Sequence, residues 1–221
     1  VAGAAKSANL LGKNYVKQVD VVMSSWATGP ELMISTKRMD SSFGKNAANR
    51  VEESYGDAKN LRLRHPQAAL GFVYALNAIA LSAEHDKAMW LIDLLQKLGR
   101  EDDAYDAVAL VMPDLVGDDE QAGTEEPDAA GPLDAGAIPD PAEDAGAGAD
   151  HVGDDVEQVV PVRLSTAQVP AALDPGAFFA VMCSRVLDNS PINFHTAARA
   201  RRAAADPSPD PLAPARPRPS R

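Results

Sequence analysis

Asp20 and Lys37 are the pair whose types and spacing could do chemistry together. Asp20 falls in a short β-branched stretch, residues 18–23 (QVDVVM), and Lys37 closes a second one, residues 31–37 (ELMISTK). The turn-forming Ala27, Thr28, Gly29 and Pro30 lie between them, which predicts a hairpin. Antiparallel neighbours would bring both side chains to one patch of sheet edge. A carboxylate there can hold Mg²⁺, which takes oxygen ligands. A nearby ammonium can orient or help deprotonate a water, and it stabilises charge developing on a phosphoryl transition state. Taken singly, Asp20 also suits a solvated strand residue, and Lys37 a charge that protects an edge strand.

A polar cluster follows the second strand: Ser41, Ser42, Lys45, Asn46, Asn49 and Arg50. Hydroxyls, amides and cations of this kind suit phosphate oxygens, and they equally suit a loop with a helix cap. Lys59, Arg62 and Arg64 add positive charge, which a helix C-terminus also favours. His65, before Pro66, reads as structural. Glu84, His85 and Asp86 are adjacent, and adjacent side chains do not converge on one metal.

The elements that must position these residues are legible from periodicity. Strands alternate faces, so Leu32, Ile34 and Thr36 share one side of the second strand, and Glu31, Met33, Ser35 and Lys37 the other. A helix is predicted from about Asn46, with Val51, Tyr55, Ala58 and Leu61 at near-helical spacing. Residues 68–81 are almost wholly apolar and predict a buried central strand, with a buried helix as the alternative. Residues 86–98 form an amphipathic pattern ending at Gly99, and 105–112 a further buried strand. The order strand, strand, helix, strand, helix, strand implies an α/β fold with a mixed sheet.

At this point the chain resembles the PD-(D/E)XK nuclease superfamily, and within it restriction-enzyme-like proteins in which a strand ending S-x-K precedes a serine- and asparagine-rich loop and helix. The matching blocks are VDVV at 19–22, ISTK at 34–37, SSFGKNAANRVEE at 41–53 and GDAKNLRLRHPQAALGF at 56–72. The resemblance covers residues 11–113, with a weaker echo over 168–199. It implies a restriction-endonuclease-like mixed central sheet flanked by helices, Mg²⁺ as cofactor and DNA as substrate. It also implies Asp20 as the metal-binding aspartate and Lys37 as the catalytic lysine. Ser35 stands where the superfamily usually has Glu or Asp, and a neutral hydroxyl is a weak Mg²⁺ ligand. Some members relocate that acid to a helix, which makes Glu53, and after it Glu52, the substitutes. Glu31 lies ~13 Å from Ser35 along an extended strand and is less suitable.

Composition looks adverse to a nucleic-acid partner, because the formal charge is −11 and phosphate binding is driven by Lys and Arg. The average misleads. Residues 118–157 hold 14 of the 32 acidic residues and no Lys or Arg, which leaves 18 acids against 21 basic residues elsewhere. The expected organisation is a nuclease-like α/β core at 1–115, an acidic disordered insert at 116–157, a strand and helix at 158–198 that pack on the core, and an Arg/Pro-rich disordered tail at 199–221. Cys183 lies among Phe178, Phe179, Val181 and Met182 and reads as a buried thiol in a reducing compartment. No apolar run reaches the ~18–20 residues needed to cross a bilayer, so a soluble cytoplasmic protein without a membrane partner is expected. The chain opens on Val1, as an alternative start or a fragment lacking an upstream element would.

The expected activity is Mg²⁺-dependent endonucleolytic cleavage of DNA, of the type II restriction kind, and a palindromic target would call for a homodimer. A relative that binds nucleic acid without cutting it is the alternative. A third reading makes the acidic run the functional part, either recruiting a basic partner or mimicking DNA over the basic groove. Such runs are usually solvated spacers.

Overall fold

The computed structural model describes residues 7–40, 47–115 and 162–205. Its centre is a four-stranded mixed sheet in the order β3-β4-β5-β6, formed by Val21–Ser25, Gly29–Met39, Ala69–Leu76 and Ala107–Val111. β3 and β4 are the antiparallel hairpin that the turn residues predict, with Val21 opposite Ile34. Gly29 takes a φ of +73° in the turn, a conformation glycine adopts without steric cost.

Helix α1 (Ala47–Arg64) crosses over from β4 to β5, and α3 (His85–Leu98) from β5 to β6; both strand pairs are parallel. Val51, Ala58 and Leu61 of α1 join Leu91, Leu95 and Leu98 of α3 over one face of the sheet, against Met33, Phe72 and Tyr74. The other face is covered by α4 (Pro175–Asn189), whose Phe178, Met182 and Val186 sit on Ile34, Ala69, Ala107 and Ala109. Small residues on that face let the helix approach closely. A Cβ on Gly71 would lie 2.6 Å from the Phe178 ring.

Three short pieces complete the fold. A hairpin of β1 (Ala8–Leu11) and β2 (Val16–Val19) precedes the sheet. The one-turn helix α2 (Ala80–Ala83) precedes α3, and β7 (Pro113–Leu115) pairs with β8 (Val162–Leu164). The chain ends its described part in α5 (Thr196–Ala205).

Four expectations are corrected. The apolar run 68–81 is a strand only to Leu76 and then turns at Asn77 into α2, because eight residues already span the sheet. The strand expected at 18–23 breaks at Asp20, with Gln18 and Val19 ending β2 and Val21 opening β3, and the β1–β2 hairpin was not expected. Residues 199–205, expected to be tail, continue α5, where Arg199 donates to the carbonyls of Ser190 and Phe194 and Arg202 pairs with Asp188. Cys183 is exposed, not buried: the buried face of α4 follows 178, 182 and 186, and Cys183 projects from a different side of the helix. The acidic stretch 116–157 lies outside the described residues. No helix among the described residues is long and apolar enough to cross a membrane.

Candidate active site

The β3–β4 ladder stops at Val21 and Ile34, and this end of the hairpin gathers the residues singled out in the sequence. Beyond the last rung, the Thr36 amide and hydroxyl have no strand partner on the β3 side. Asp20 takes that place: its Oδ2 accepts from Thr36 N at 2.5 Å and from Thr36 Oγ1 at 3.1 Å. Thr36 shares its face with Ile34, the face α4 covers, whereas Ser35 and Lys37 project toward α1. Among the described residues no hydrogen bond or ion pair joins Asp20 to Lys37 or Glu53. Asp20 and Lys37 thus reach the same end of the hairpin, but the structure ties Asp20 to Thr36.

Lys37 is paired instead with α1. Its Nζ lies 3.6 Å from Glu53 Oε2, so the carboxylate nearest the lysine comes from the helix after the polar loop. Glu52, one residue earlier, points elsewhere and lines an open groove of about 380 Å³ between α1 and α3 with Tyr55, Trp90 and Leu94. Ser35 is 7% exposed, and its Oγ is buried with no hydrogen-bond partner among the described residues. An unmade hydrogen bond of this kind costs about 1–3 kcal/mol.

The cationic surroundings are partly structural. Ser41, Ser42, Lys45 and Asn46 lie outside the described residues. Asn49 is exposed on the first turn of α1. Arg50 donates from Nη1 to the Arg38 carbonyl at 2.9 Å and so fastens the start of α1 to the end of β4. Lys59 pairs with Asp103, and Arg62 with Asp106 at 3.0 Å, so both hold the fold. His65 Nε2 bonds the Leu11 carbonyl at 2.9 Å, a structural link to the β1–β2 hairpin.

Sequence reasoning missed an acidic and amide stripe along α1. Glu53, Asp57 and Asn60 follow at helical spacing and share one face. Lys17 of β2 reaches this stripe, 2.5 Å from Asp57 Oδ2 and 3.6 Å from Glu53 Oε1. The Tyr15 hydroxyl donates to Asp57 Oδ1 at 3.0 Å. The signal was the i, i+4, i+7 spacing of the polar residues, which the apolar line Val51, Ala58, Leu61 overshadowed.

The oxygen donors present suit the magnesium ion that the resemblance implies. Mg²⁺ is commonly held by one or two carboxylates with waters and substrate phosphate oxygens completing its shell. Among the described residues no group of three or more His, Cys, Asp or Glu side chains could hold a metal. Asp20 and Glu53 are the residues that would hold it, although no hydrogen bond or ion pair joins them among the described residues; Ser35, with its buried and unpartnered Oγ, follows Ile34, the last β4 residue paired with β3, and precedes Lys37 by two.

No protein-family model, curated protein or solved structure matches the chain.

Proposed function

We propose that the chain is a Mg²⁺-dependent endonuclease that hydrolyses DNA phosphodiester bonds, of the type II restriction kind. The observation that carries this reading is the approach of Glu53 to Lys37 at the strand end where Ser35 replaces the acid of an acid-x-lysine pattern. The helix glutamate supplies the carboxylate that the strand lacks, as the relocated acid of the resemblance would.

A bound magnesium ion would supply positive charge to the phosphate as negative charge develops on it. The chain's own residues do the rest. Asp20, whose Oδ2 accepts two bonds from Thr36, would offer its other oxygen to the metal. Glu53 holds the second acidic position. Lys37 orients the attacking water and stabilises the charge of the transition state. Asn49, exposed on the first turn of α1, would contact a backbone phosphate.

The second reading is a DNA-binding relative that no longer cuts. It is favoured by the neutral Ser35 and by the engagement of Asp20 with Thr36. Incubating wild type, Asp20→Ala and Lys37→Ala with plasmid DNA and Mg²⁺, with EDTA as control, separates the two. Metal-dependent cutting lost in both folded variants supports the nuclease. Retained DNA binding without cutting by the wild type supports the inactive relative and overturns the nuclease.

A further inference from the structure

The residues behind Glu53 form an outer ring that the nuclease reading leaves unused. Glu53 is 42% exposed, and each of its oxygens lies 3.6 Å from a different lysine. The two lysines are held unequally. Lys17 is anchored 2.5 Å from Asp57, whose side chain is only 7% exposed and which also accepts the Tyr15 hydroxyl. Burial acts to lower the Lys17 pKa, but Asp57 and Glu53 outweigh it and raise the value above the ordinary one, so Lys17 stays a cation. Burial, and then Asp57, push the Tyr15 hydroxyl up to about 12, so Tyr15 stays a neutral donor. Their hairpin is keyed to α1 by Asn60, which accepts from Asn14 N at 2.8 Å and donates to the Tyr15 carbonyl at 3.0 Å. Gly12 leaves the room this needs, since a Cβ there would lie 2.1 Å from Asn60 Nδ2.

We infer, on the footing of the nuclease reading, that Lys17 is a positioning residue for Glu53: anchored by Asp57 and Tyr15, it aims the Glu53 carboxylate at the place where Mg²⁺ is to be held. The opposite role has the opposite sign. If Lys17 were simply a competitor for Glu53, removing its charge would tighten divalent-cation binding. Losing an outer partner that orients a ligand weakens metal binding by about 10–100-fold.

The test is calorimetric titration of the full chain with Mg²⁺, run beside plasmid cleavage, for wild type, Lys17→Met, Lys17→Arg and Asp57→Asn, with folding checked by circular dichroism. The expected result is Mg²⁺ affinity weaker by about 10-fold or more in Lys17→Met and Asp57→Asn, with Lys17→Arg close to wild type. Wild-type or tighter affinity in folded Lys17→Met overturns the inference while leaving the nuclease reading intact. If Lys17→Met fails to fold because Asp57 is left buried without a cation, Asp57→Asn decides, and wild-type affinity there overturns the inference. A wild type that neither binds Mg²⁺ nor cuts DNA removes the nuclease reading and the inference with it.

Discussion

Lys37 and Glu53 face each other across 3.6 Å, one at the end of a strand and the other on the helix that follows it. Both are partly exposed, and an ion pair in that setting contributes about 0–1 kcal/mol to stability. Lys37→Ala and Glu53→Gln should therefore leave the urea midpoint almost unchanged and, if the proposed nuclease activity holds, lower plasmid cleavage by about 100-fold or more, as loss of a transition-state electrostatic partner does. Variants that cut normally would assign the pair to structure alone.

Ser35 should show the reverse balance. Its Oγ is buried without a partner, so Ser35→Ala removes an unsatisfied group and should raise stability by about 1 kcal/mol. Chemical denaturation measures this directly. A destabilised Ser35→Ala would mean that the hydroxyl has a partner, such as an ordered water.

Asp106 joins the two faces of the sheet. Its carboxylate, 3% exposed, accepts from Arg62 of α1 and Arg185 of α4, each at 3.0 Å, and from Leu70 N at 2.8 Å. Removing one partner of a buried charged network costs about 3–5 kcal/mol. Asp106→Ala should lose that much in urea unfolding and loosen α4, seen as faster amide exchange over 175–189. A loss under about 1 kcal/mol would show that water takes the carboxylate's place.

Glu31 makes the fold acid-sensitive. Burial works to raise its pKa, but Thr28, His195 and Ser25 outweigh it and hold the value below the ordinary 4.5. A lowered folded pKa contributes stability that is present above the unfolded value and lost as pH falls through the folded one. Glu31→Gln should therefore flatten the stability profile below pH 4.5 relative to wild type. His195, 2.7 Å from Glu31 and at a φ of +53°, starts the turn into α5, so the same acidification should release α5 first. An unchanged acid limb in Glu31→Gln would refute this.

The central sheet was legible because its signals are local and repeated: alternation in 31–37, a helical period in 86–98, nearly continuous apolar runs in 68–81 and 105–112. The pairing of Lys37 with Glu53 was not legible; Glu53 and Glu52 were expected only as substitutes for the acid missing at Ser35. Helical geometry decided between them, because a step of one residue turns the side chain by about 100° and sends Glu52 into the α1–α3 groove. What stayed hidden was long-range. The β1–β2 strands are four residues each, too short for a period, and their Lys17 and Tyr15 meet Asp57 only after docking on α1. Asp20 looked free because nothing in its neighbourhood in sequence marks Thr36 as its partner. Cys183 was misplaced because apolar neighbours in sequence occupy opposite sides of a helix.

The β7–β8 pairing sets Leu115 directly opposite Val162, so the described residues on either side of 116–161 meet on one antiparallel rung. Neighbouring strands lie only about 5 Å apart, so a change in the number of residues between those two positions can be absorbed at that rung without moving a strand of the central sheet. In evolutionary terms the rung is a place where sequence can be inserted or removed while the β3-β4-β5-β6 sheet keeps its register.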